Sequence, residues 1–143
     1  MSFRSLLKNL FGDNSSNRIE NPYDLLTWNQ KLAAMNLMAF LGGSCSGTAL
    51  ELNKINHIMS VEGGKMGVSG NAMRAGRSQF SDVDIMVTAL MGANRGALEN
   101  LFWAFYCIVA VGKSKEAVQM LLGIYRRLGF SEQDCALILE KRV

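Results

Sequence analysis

The chain reads as an all-α, single-domain bundle of about seven helices, and three observations point that way. Proline occurs once and methionine nine times in 143 residues; proline interrupts helices, whereas methionine packs readily within them. Apolar residues recur at helical spacing between Ser or Thr starts and glycine stops. No stretch alternates apolar and polar residues for long enough to read as a strand. A chain of this length, 49% apolar and 19% charged, is ordinary globular material with enough substance for one hydrophobic core.

Taken in order, MSFRSLLKNLFG sets Phe3, Leu6, Leu7, Leu10 and Phe11 at helical spacing, with Arg4 and Lys8 on other faces. That predicts a short amphipathic helix. DNSSNRIENP is polar and turn-forming, so residues 1–22 divide off as helix plus linker from a helical body at 23–143. The body opens near Tyr23 and Asp24. WNQKLAAMNLMAFLGG then carries Leu32, Met35, Met38 and Ala39 on one stripe, with Gly42 and Gly43 as its expected end. Thr48 and Glu51 form a capping box, in which each side chain takes the other's backbone amide, ahead of Leu52, Ile55, Ile58 and Met59.

The glycines of EGGKMGVSG predict a loop over Glu62 to Gly70, followed by a short helix in NAMRAGRSQ. Ser81 is the expected cap of a helix with two acids in its first turn and Ile85, Met86, Ala89 and Leu90 inside. ALENLFWAFYCIVAVG is apolar on all sides from Leu101, which predicts the central, most buried helix. Ser114 starts KEAVQMLLGIYRRLG, Gly129 stops it, and Ser131 caps a final helix EQDCALILEKR. Trp28–Met59 and Ala97–Leu128 share one plan: apolar helix, glycine-bearing loop, Ser or Thr cap, apolar helix.

Charge and cysteine content exclude several classes. A net charge of +3 with no basic tail gives no footprint for nucleic acid, and Lys65, Arg74, Arg77 and Arg95 lack interleaved aromatics. Cys45, Cys107 and Cys135 are an odd, sparse set that suits free thiols in a reducing compartment, so cytosol is the expectation. Arg4, Lys8 and Asn9 interrupt any secretory apolar core at the start. The longest uncharged stretch ends in GGSCSGT, which no lipid-facing helix would choose.

LGGSCSGTALELNKI, Leu41 to Ile55, imitates two catalytic motifs. A phosphate loop needs a lysine after its last glycine and a strand feeding into it, but Thr48 follows Gly47 directly and a helix feeds in. A nucleophile elbow centred on Cys45 needs a base. The one histidine, His57, lies about 13 Å or more along the following helix, too far for hydrogen-bonded activation. The cysteines and histidine also lack zinc-site spacing. Only the capping box survives, and no catalytic residue or cofactor is assigned.

The order of elements, with SDVDIMVTALMGANRGALENLFWAFYCIVAVG and a capped helix ending RRLGFSEQD, resembles the TerB family of tellurite-resistance-type helical domains over roughly Asp24 to Val143. The resemblance implies an all-α fold, a bacterial stress-response setting and carboxylates associated with divalent metal. This chain departs from the family's acidic turns: Ser44 stands at the first, Ala110, Val111 and Gly112 at the second. Glu51 and Glu116 are the remaining metal candidates, and a hard cation wants more oxygens than they supply. The expectation is therefore a non-enzymatic TerB-like interaction module in a stress or envelope-associated process. Its contact would be the apolar face of Phe3, Leu6, Leu7, Leu10 and Phe11 with Arg4 and Lys8, docking on a protein partner, on the inner membrane face, or back on the body. The alternatives are a divalent-metal-binding TerB-like protein and a small cysteine-dependent hydrolase.

Overall fold

A computed structural model describes residues 21–45 and 47–142. A short 3-10 turn, Pro22–Leu25, leads into seven α-helices: α1 (Trp28–Cys45), α2 (Ala49–Met66), α3 (Gly70–Ala75), α4 (Val83–Leu90), α5 (Arg95–Gly112), α6 (Lys115–Arg127) and α7 (Glu132–Arg142). Among the described residues there is no strand. The all-α bundle expected from the sequence is the architecture. The apolar series Phe3 to Phe11 lies outside the described residues.

Most helix starts follow their local chemistry. Thr27 and Gln30 exchange side-chain and amide bonds at the head of α1. Thr48 accepts from the Glu51 amide, and Glu51 accepts from the Thr48 amide, completing the capping box of α2. Ser114 and Ser131 cap α6 and α7 as expected. The cap of α4 is Asp82 and not Ser81: the Asp82 carboxylate accepts from the Ile85 amide, and it adds a negative charge at the positive helix end. Asn94 caps α5, which begins at Arg95, ahead of the expected Ala97.

Two glycine signals mean something other than helix ends. α1 runs through Gly42 and Gly43 to Cys45. A Cβ on Gly42 would stand 2.7 Å from Ile55 Cγ2, so the residue is a close-approach point where α2 crosses. α2 likewise continues through Glu62, Gly63, Gly64 and Lys65 to Met66, and only Gly67, with φ 73, makes the left-handed stop. A glycine inside a helix costs only about 1 kcal/mol relative to alanine, which packing can offset. The expected Glu62–Gly70 loop is thus mostly helix, with Glu62, Gly63 and Met66 buried.

α1 is the axis of the core. Leu32 to Met38 are seven consecutive buried residues, not one stripe, because α1 packs against α2, α3, α4, α5 and α6. Among them Asn36 is polar; its amide donates to the Leu32 carbonyl at 2.9 Å and the Met73 carbonyl at 3.4 Å, satisfying it and tying α1 to α3. α5 is the second central helix, against α1, α2, α6, α7 and the leading turn. At its C-terminus Gly112 lies on the end of α1 so closely that any Cβ there would overlap the Cys45 carbonyl. Around its middle Tyr125 meets Phe102, Phe105 and Phe130 edge-on, and its hydroxyl donates to the Leu98 carbonyl at 2.6 Å. These aromatic contacts each contribute about 1 kcal/mol beyond burial.

The expectation that α5 is the most buried helix is corrected. Ala97, Leu98, Leu101, Phe102, Ala104, Phe105, Ile108 and Val109 are buried. Trp103, Tyr106, Cys107 and Val111 are only half-buried, and Ala110 is exposed. One apolar flank of a central helix therefore faces outward.

Candidate functional site: the open flank of α5

Among the described residues of the α1–α2 corner that imitates catalytic motifs, no base is hydrogen-bonded to Cys45. Helix, not strand, runs into Gly42. The Glu51 carboxylate is occupied as a cap, accepting from Gly47 at 2.8 Å and Thr48 at 3.0 Å. Cys45 is buried, and its Sγ donates weakly to the Ile108 carbonyl at 3.5 Å. Burial pushes its thiol pKa up, opposite to the shift a nucleophile needs. His57 is exposed on α2.

The other sequence candidates are dispersed. Glu116 is exposed in the first turn of α6. Among the described residues no group of three His, Cys, Asp or Glu side chains is arranged to hold a metal ion. Of the middle basic residues, Lys65 pairs with Glu62 at 3.5 Å; Arg95 lies over the Phe130 ring and pairs with Asp134 at 3.3 Å. Arg74 donates to Asn71 on its own short helix. No helix of the described chain is long and apolar enough to cross a membrane.

What the fold does assemble lies along α5. On one side, α2 and α5 enclose a trough of about 240 Å³ lined by His57, Ile58, Val61, Glu62, Trp103, Ala104 and Cys107. On the other, a groove of about 330 Å³ between α5, α6 and α7 is walled by Phe102, Tyr106, Leu122 and Leu139. Tyr106 and Val118 also line a third hollow, of about 360 Å³, that reaches Lys113 and Lys115. Between these troughs stands a ridge in which Trp103 and Tyr106 stack with ring centroids 6.3 Å apart. An outward apolar ridge between two apolar furrows is the kind of surface that proteins keep for contact.

A polar latch closes the head of the α2–α5 trough. Tyr23 is buried, and its hydroxyl donates to Glu62 at 2.7 Å, while Lys65 holds the other carboxylate oxygen. The Tyr23 phenol pKa is raised, first by burial and then by the neighbouring Glu62. Asn21 donates to the Lys65 carbonyl at 3.0 Å. Beside this pair Arg142 bonds Asn100 at 2.7 Å and lies over the Trp103 ring. The latch fixes where the chain arrives: at the C-terminal end of α2.

Helical spacing set His57 too far from Cys45 to activate it; the fold brings it to the trough that holds Cys107. Among the described residues no hydrogen bond joins His57 to Cys107, and burial, with Glu62 adding to it, raises the Cys107 thiol. The pairing lacks the activated thiolate of nucleophilic catalysis. A further cleft, of about 460 Å³, lies on the other side of α2, where Met35, Met59 and Met73 meet Gly63, Gly64 and Gly70 with Arg74 alongside. Its glycines were visible in the sequence, but its shape depends on α2 continuing past them.

Comparison with protein-family models, with curated proteins and with solved structures finds no match to this chain.

Proposed function

We propose that the chain is a non-enzymatic helical interaction module whose contact surface is the open flank of α5. One observation carries this reading: a helix apolar on every side is central to the fold, yet Trp103, Tyr106 and Cys107 are left half-exposed and Ala110 exposed between apolar furrows. Water contact with such a face costs free energy that a partner's apolar side chains would recover. The TerB resemblance suggests a bacterial stress or envelope-associated setting, and the Phe3–Phe11 series is a second apolar contact element. Both belong to the proposal.

The test is site-specific photocrosslinking in the native cell, with a photoreactive residue at position 106 and, as control, at exposed position 77. The reading expects a discrete adduct from 106 that is absent from 77 and lost with Trp103→Glu. Adducts of equal pattern from both positions, or none from 106, would remove it. Vesicle flotation of the full chain and of Leu6→Asp/Leu10→Asp decides between a protein and an anionic lipid surface as the N-terminal contact. Flotation that the substitutions abolish assigns the lipid surface.

A further inference from the structure

The cleft of about 460 Å³ between α2 and α3 owes its shape to wall positions that carry no side chain. We infer that it is a small-molecule site whose ligand is a small carboxylate with an apolar body. Arg74 takes the carboxylate, and Met35, Met59 and Met73 meet the apolar part. The site lies on the other side of α2 from the open flank of α5 and does not depend on the contact reading.

The walls follow from helical spacing. On α2, Asn56, Met59, Ser60, Gly63 and Gly64 recur at helical intervals and share one face. On α3, Gly70, Met73 and Arg74 do the same, and the buried Met35 of α1 forms the floor. Gly63 has a packing reason: a Cβ there would stand 3.1 Å from the Val68 carbonyl oxygen and 3.3 Å from Met35 Cε. Gly64 has none. It sits inside α2, where glycine is weaker than alanine, yet a Cβ there would meet nothing within 4 Å. A side chain at position 64 would stand in the space of the cleft, so what this glycine maintains is bare backbone that a ligand can approach.

Charge narrows the class of ligand. Arg74 is the one charged side chain among the described residues that line the cleft. Its guanidinium donates to the neutral Asn71 side chain and lies over Gly70, and among the described residues no carboxylate pairs with it. A guanidinium with donors to spare holds a carboxylate through two parallel hydrogen bonds. Asn56 and Ser60, both exposed on the α2 wall, add neutral polar groups. The methionines supply the opposite chemistry: flexible, polarisable side chains that mould to an apolar body. A volume of about 460 Å³ falls within the roughly 300–1,000 Å³ of small-molecule pockets.

The full chain, carrying 13C in its methionine methyl groups, is titrated by nuclear magnetic resonance with octanoate and, at equal chain length, with octanol. Signals are assigned through Met35→Leu, Met59→Leu and Met73→Leu. The expected result is a saturable movement of the Met59 and Met73 signals, with octanoate bound at least tenfold more tightly than octanol. Arg74→Gln should remove that preference by weakening octanoate and sparing octanol. Gly64→Leu, with native helix content checked by circular dichroism, should weaken both probes at least tenfold. Shifts that never saturate, equal affinities for the two probes, or octanoate binding untouched by Arg74→Gln would overturn the assignment. So would unaltered binding by the folded Gly64→Leu chain. Octanoate binding is read on the isolated protein, so this proposal and the photocrosslinking test at position 106 fail separately.

Discussion

α1 and α5 are both eighteen residues long, both apolar around most of their circumference, and both central, yet the fold treats them differently. α1 is enclosed: seven consecutive residues, Leu32 to Met38, are buried under five neighbouring helices. α5 is enclosed along Leu98, Leu101, Phe105 and Ile108, half-exposed at Trp103 and Tyr106, and exposed at Ala110. An all-round apolar pattern thus identifies a central helix without saying whether neighbours suffice to cover it. The uncovered remainder is where a function of contact can reside.

The seam where the two helices meet should be the most sensitive place. Gly112→Ala puts a methyl group into the Cys45 carbonyl, and because backbone cannot yield as a side chain end can, we expect a loss of about 3 kcal/mol or more. A denaturant-midpoint change under about 0.5 kcal/mol, the scale of an unconstrained surface site, would mean the seam is loose. At the other end of α5, Tyr23→Phe strips the buried Glu62 carboxylate of its phenol partner. Its expected cost is about 1–3 kcal/mol, measured by the same melts. Tyr23→Phe/Glu62→Gln should recover part of it, since the buried carboxylate that has lost its phenol donor is then gone. No recovery would place the damage in packing instead of in the latch.

A smaller effect is expected from pH. Burial raises the pKa of Cys45, Cys107 and Cys135 and of the phenols of Tyr23 and Tyr125. Each group keeps its proton to higher pH when folded than when unfolded. In the window between the two values the unfolded state binds fewer protons, so stability declines as pH rises. These groups contribute fully at neutral pH, and thermal melts should fall progressively above about pH 8, where unfolded thiols begin to ionise. Melts that rise between pH 8 and 10 would contradict the buried placement of these groups.

Fold class, helix count and most caps were legible because they depend on local chemistry: the Thr48–Glu51 reciprocity, Ser114, Ser131 and the Gly129 stop act within one turn. Gly42 and Gly63 were misread because a glycine that ends a helix and one that admits a neighbour look alike in sequence. Only Ile55 against Gly42, and Met35 with the Val68 carbonyl against Gly63, distinguish them. Ser81 and Asp82 were equally good caps by type, and the backbone chose the second. Of the candidate site, Trp103, Tyr106 and Cys107 were assigned to the interior because periodicity reports apolar circumference and not the number of neighbours. That His57 shares a trough with Cys107 was not legible, since nothing local records that α2 lies along α5.

The contrast between the two helices can be measured with one substitution made twice. Ala34 on α1 is 0% exposed, whereas Ala110 on α5 is open to water. Ala34→Gln must bury an amide and overfill a closed space, so chemical denaturation should show a loss of about 3 kcal/mol or more. Ala110→Gln should change stability by less than about 0.5 kcal/mol. Comparable losses at both positions would mean that α5 is as enclosed as α1, and that the fold leaves no open flank for a partner to meet.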